Sequence, residues 1–108
     1  MAHWIDVFSP DETGSDGGVI RRDEQTTGAR ITLEEGGILA PFSITCGVYG
    51  WMMHTRCCPN REAADRDFEA MKAELDTIVE QIPRRDAVEN GQSEAATAAI
   101  HAFVERFP

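Results

Sequence analysis

The densest set of reactive side chains is Met52, Met53, His54, Cys57 and Cys58, with Cys46 a little earlier. Thiolate, thioether and imidazole are the ligands that soft ions such as Cu(I) or Zn prefer. His54 and Cys57 would bring two donors together at a strand end, with Cys58 as a third. A structural zinc site wants four ligands, usually as two close pairs. No second pair exists, His3 and His101 are remote, and the adjacent Cys57 and Cys58 point to opposite sides of an extended chain. The same residues offer a second chemistry. A Cys57 or Cys58 thiol near a helix N-terminus would ionise more readily, with His54 as its base. No Cys-x-x-Cys motif is present, and no third residue stands out as the orienter of a triad. The plainer expectation is ordinary thiols beside Pro59, and buried or gap-filling roles for Cys46, Met52 and Met53.

Carboxylate chemistry has no better case. Asp65, Asp67 and Glu69 are close in sequence, but on a helix Asp67 points away from the other two. Glu34 and Glu35 flank a turn and are expected to keep a strand end in water. Residues 9–18 (SPDETGSDGG) form an acidic, Gly-rich loop that fails as a calcium loop, because Gly14 falls on a ligand position and no helices flank it. There is no Walker loop, dinucleotide fingerprint, nucleophile elbow or H-E-x-x-H. The chain is therefore read as leaning away from an enzyme, with no cofactor expected.

The elements that must position these residues centre on 36–53 (GGILAPFSITCGVYGWMM), which has no charged residue although the sequence is 27% charged. Glycines, Pro41, Ser43 and Thr45 interrupt it, so it is not a membrane span, which needs about 20 mostly apolar residues. It reads as a turn followed by one long strand over 42–56. Phe42, Ile44, Cys46 and Val48 alternate with Ser43, Thr45 and Gly47, the period of a half-buried strand. After Val48 the alternation breaks, and Tyr49, Trp51 and Met53 fall on the polar parity. Either a bulge near Gly47 or Gly50 returns Trp51 and Met53 to the core, or the strand is straight and these three form an apolar patch that calls for a partner.

Around this strand, residues 3–8 (HWIDVF) are a short strand candidate. Residues 19–24 and 29–35 read as strands joined by a turn at 25–28, with Ala29, Ile31 and Leu33 on one face and Arg30, Thr32 and Glu34 on the other. Connections this short make an antiparallel meander of three or four strands. Pro59 and Asn60 open a helix, with Asn60 as its cap, whose apolar stripe is Phe68, Met71, Leu75, Ile78 and Ile82 and whose end is Pro83 followed by Arg84 and Arg85. Residues 84–92 are a polar connection. Ser93 then caps a second helix to about Phe107, with Ala96, Ala99, Ile100, Phe103 and Phe107 in its stripe and Val104 alongside. Both helices belong on one face of the sheet, giving a two-layer α+β fold and one domain over 1–108.

The formal net charge of -9 excludes the basic footprint that nucleic acid needs, and it disfavours anionic membranes. The first residues have no basic region and no sustained apolar core, so a cytoplasmic location and reduced thiols are expected. The function expected is a non-enzymatic module that forms a homodimer or binds a protein partner, with Tyr49, Trp51 and Met53 as its contact set. Tyr and Trp are enriched in interfaces, as is Met, and two-fold dimers are the commonest oligomers. The alternative is a small enzyme or ligand-binding protein whose site gathers Tyr49, Trp51, His54, Arg56 and Cys57, with Arg56 and Arg61 favouring an anion at the helix start, or a soft-metal site at His54, Cys57 and Cys58.

Overall fold

Five antiparallel strands follow one another in space in the order of the chain, and two helices pack over one side of the sheet they form. The computed structural model describes residues 3–9, 12–82 and 90–108, with side chains from residue 94 onward in the last segment. The strands are β1 (Ile5–Asp6), β2 (Val19–Thr26), β3 (Ala29–Glu35), β4 (Phe42–Val48) and β5 (Met52–Cys58), followed by α1 (Arg61–Gln81) and α2 (Asn90–Arg106). This is the expected α+β meander with two C-terminal helices.

The sheet has five strands rather than three or four because the stretch expected as one long strand is a hairpin. Residues 49–51 turn the chain, Trp51 N–H donates to Val48 O at 2.9 Å, and Gly50 sits at φ +82°. A positive φ at the third residue of a turn is what glycine supplies without steric cost. The broken alternation after Val48 thus marks a reversal of direction, neither a bulge nor a straight strand. The only register shift in the ladders of the described residues lies between Ile20 and Arg22. That extra residue in β2 turns Ile20 toward one side of the sheet and Arg22 toward the other.

One face of the sheet carries Ala29, Ile31 and Leu33 from β3, Phe42, Ile44, Cys46 and Val48 from β4, and Cys58 from β5, all buried. Against it lies α1. Asn60 caps the helix as expected, its side chain accepting from Ala63 N–H at 2.8 Å. Ala64, Phe68, Met71, Leu75 and Ile78 form the buried stripe, with Ile82 and Val79 packed at its margin. Each fully buried large side chain of this set contributes roughly 1.5–3 kcal/mol. The helix ends at Ile82, whose backbone is extended; Pro83, Arg84, Arg85 and the connection as far as residue 89 lie outside the described residues.

Helix α2 packs on α1 and buries Ala96, Phe103 and Phe107. It begins at Asn90, so Ser93 lies inside it and is not its cap. At the other edge, Trp4 packs against the core and donates its indole N–H to Asp76 of α1 at 2.6 Å. The strand expected over 3–8 is reduced to Ile5 and Asp6. Among the described residues, no helix is long and apolar enough to cross a membrane.

Candidate functional site

Among the described residues, no helix covers the second face of the sheet. Strand alternation and register place Ile20, Asp23, Arg30, Thr32, Glu34, Ser43, Thr45, Gly47, Met53, Thr55 and Cys57 there. The loop over residues 12–18 folds across one end of this face. Glu34, 1% exposed, holds it from beneath: its carboxylate accepts from Asp16 N–H and Gly18 N–H, each at 3.2 Å. Glu34 therefore does not keep a strand end in water; it serves as a buried anchor for the acidic loop. Asp16 in turn accepts from Leu39 N–H at 3.1 Å, which ties the loop to the 36–41 turn.

The middle of the face is polar and internally paired. Asp23, 1% exposed, takes the Arg30 guanidinium on both oxygens, at 2.9 Å from Nε and 2.5 Å from Nη2, and also accepts from Thr32 Oγ1 at 3.2 Å. The hydrogen bond to Asp23 pushes the Arg30 pKa further up. Thr45 and Thr55 face each other across the β4–β5 ladder, with hydroxyl oxygens 3.1 Å apart.

The opposite end is apolar and open. Tyr49 is 60% exposed in the hairpin turn and Met53 is 76% exposed beside it. A Cβ on Gly47 would lie 2.6 Å from the Met53 sulfur, so the Met53 side chain rests flat on the sheet only because residue 47 has none. Between this end and the 12–15 loop is a concavity of about 620 Å³, floored by Arg30, Thr32, Thr45 and Gly47.

The structure divides the residues singled out by sequence. Tyr49 and Met53 share the open face. Trp51 leaves them and packs, half-buried, against the core. His54 and Arg56 face the helices. His54 Nε2 bonds to the Phe107 carbonyl, and the imidazole meets the Phe103 ring edge-on at 6.1 Å between centroids. Arg56 donates to Asp67 at 2.9 Å and lies 5.8 Å from the Phe107 ring. Both side chains fasten β5 to the helices.

Cys58 is buried on that same side, 3.8 Å from Asp67, whereas Cys57 is exposed on the other. His54, Cys57 and Cys58 thus do not converge, and Cys57 has no imidazole beside it from His54. Among the described residues, no group of three His, Cys, Asp or Glu could hold a metal ion.

The three thiols differ in reactivity. Burial pushes Cys46 up to about 12. Cys58 is also raised, first by burial and then by the neighbouring Asp67 carboxylate. Native protein at pH 8 is expected to titrate one thiol with Ellman's reagent and all three in urea, with Cys57→Ser abolishing the native signal; a fast second equivalent would contradict this burial. The raised Cys46 also sets the sign of the alkaline response. Its contribution to stability is complete below the ordinary thiol value of 9.0 and is lost as pH climbs toward about 12, because only the unfolded chain ionises there.

Asp23, Arg30 and the threonine row were not visible as a unit in the sequence. The signal that could find them is the turn at Thr27 and Gly28: once the β2–β3 register is fixed there, Asp23 falls opposite Thr32. Comparison with known proteins finds no matching family model, no matching curated protein and no matching solved structure.

Proposed function

We propose that the protein is a non-enzymatic, self-associating module of the cytoplasm that works as a homodimer and uses the open side of its sheet for contact with its own or another protein chain. One observation carries this reading: Tyr49 and Met53 stand exposed, at 60% and 76%, on the rim of a concavity in a sheet face over which no helix lies among the described residues. Exposed apolar groups grouped on one surface mark interaction sites, and Tyr and Met are enriched there. Two further features support it. The ionic pair on this face, Asp23 with Arg30, is satisfied within the chain, so covering it leaves no unpaired carboxylate. Of the two thiols that could serve as a nucleophile, Cys57 lies on the face of β5 opposite His54, and Cys58, on the face of His54, is buried and raised in pKa by that burial.

The test is the solution mass over a concentration series. Tyr49→Asp and Met53→Asp are each expected to weaken association tenfold or more, about 1.4 kcal/mol, with unchanged far-ultraviolet circular dichroism because both side chains already face solvent. A wild-type chain that remains monomeric up to millimolar concentration would overturn the self-association.

A further inference from the structure

The two edges of the sheet are unlike. At one, β1 is two residues long and carries Asp6, which is how soluble proteins blunt a strand that would otherwise recruit another. At the other, β5 runs seven residues in unbroken register with β4, from Met52 opposite Val48 to Cys58 opposite Phe42. It has no proline, no bulge and no lysine. Its single formal charge, Arg56, is neutralised by Asp67. In a chain of net charge -9, this edge presents no carboxylate of its own to a second copy.

The direction of the free peptide groups follows from two hydrogen bonds. Val48 O accepts from Trp51 N–H, so position 48 turns its peptide groups toward β5. Tyr49 N–H donates to Gly28 O, so position 49 turns toward β3. Antiparallel ladders alternate strictly. Hence Met52, His54, Arg56 and Cys58 direct their N–H and C=O groups at β4, and Met53, Thr55 and Cys57 direct theirs outward. Among the described residues, no backbone bond outside the sheet ladders reaches these three.

We propose that β5 pairs antiparallel with β5 of a second copy about a two-fold axis at Thr55, joining the two sheets into one. The proposal rests on the self-association reading above and names the contact through which it occurs. The register is dictated by symmetry. With the axis at Thr55, all three outward residues are matched: Thr55 with the second copy's Thr55, and Met53 with its Cys57, each pair exchanging both N–H···O bonds. Moving the axis to Met53 or Cys57 leaves two of the three without a partner in β5.

The side chains agree with this register. On the open face, the cross-strand row of Thr32, Thr45 and Thr55 runs on into the same row of the second copy, and threonines directly opposite each other are favourable pairs. The adjacent pairs set Met53 against Cys57, both uncharged and both exposed in the single chain. On the helix face, His54 comes opposite Arg56, but each is already occupied, His54 by the Phe107 carbonyl and Arg56 by Asp67. The dimer then presents both concavities on one continuous surface.

Two variants test the contact. Thr55→Pro removes an N–H that faces away from β4, so the chain keeps its own ladder while losing the central intermolecular bonds. We expect a dimer dissociation constant raised at least 100-fold, with native circular dichroism. Met53→Cys puts a thiol opposite the second copy's Cys57, and diamide should convert it to a covalent dimer on a non-reducing gel. Wild type should not cross-link, since the two Cys57 residues lie four strand positions apart, roughly 13 Å, beyond the reach of a disulfide.

A wild-type monomer at all concentrations would overturn both the edge pairing and the reading beneath it. A dimer that ignores Thr55→Pro and gives no cross-link with Met53→Cys, yet is weakened by Tyr49→Asp, would overturn the edge pairing alone. If Thr55→Pro fails to fold, the Met53→Cys gel decides: a specific covalent dimer supports the register, and its absence rejects it.

Discussion

Arg30→Met is expected to destabilise the fold by roughly 2–4 kcal/mol, a figure taken from the cost of breaking a buried ion pair and reduced because the Arg30 side chain is 46% exposed. Methionine keeps most of the aliphatic stem, so the loss is electrostatic. Asp23, 1% exposed in the native fold, would keep only the Thr32 hydroxyl against its two carboxylate oxygens. An uncompensated buried charge costs more than the intact pair ever contributed. The second half of the argument is a double-mutant cycle. Asp23→Asn in the Arg30→Met background should recover part of the loss, because it removes the charge that has lost its partner. Urea unfolding of the four proteins measures this. A loss under about 1 kcal/mol for Arg30→Met would mean that water already solvates Asp23, contrary to its burial.

Phe68→Ala is expected to do more, about 4 kcal/mol. Phe68 is fully buried at the centre of the α1 stripe, facing β3 and β4. The Arg22 guanidinium lies 3.9 Å from its ring centre and bonds onward to Glu69 at 2.5 Å. The alanine variant loses the buried ring, leaves a cavity beneath Arg22 and removes the cation–π contact. Since a domain of this size is stable by about 5–15 kcal/mol in total, little margin remains, and the melting temperature should fall by roughly 20 °C. Phe68→Leu should retain most of the stability. Equal melting temperatures for Phe68→Ala and wild type would mean that α1 does not form the core.

The parts of this fold that were legible in the sequence are those written in local code. The first helix has its cap at Asn60 and a stripe buried as expected from Phe68 to Ile78, while Ile82 ends the helix and packs at the margin of the core. The alternation in β3 correctly assigned its buried face, except at Glu34, where a loop distant in sequence supplies the peptide N–H groups that make burial tolerable. The hairpin after Val48 was illegible for a different reason. Tyr49 and Trp51 are strand-favouring residues and the turn lacks an Asn-Gly or Asp-Gly signature, so the reversal looked like a change of face. That error carried Trp51 into the contact set, from which its packing against the core removes it. Asn90 and Gly91, expected in the polar connection over 84–92, instead belong to the first turn of α2. The Asp23–Arg30 pair lies beyond local reading altogether, because a slip of one residue in the β2–β3 register would turn every side chain of one strand to the opposite face.

The order of the strands has a kinetic consequence. From β2 onward each strand pairs with the next one in the chain across a short connection, so this part of the sheet can zip from hairpin to hairpin at small entropic cost. One contact stands apart. The indole of Trp4 and the carboxylate of Asp76 are separated by 72 positions, and their bond closes a loop around nearly the whole sheet. The N-terminal strand, held by two residue pairs, the Val7 N–H bond to the Asp23 carbonyl and this one side chain, is therefore a clasp fastened onto α1 after the rest is assembled, and it is the first piece free to open.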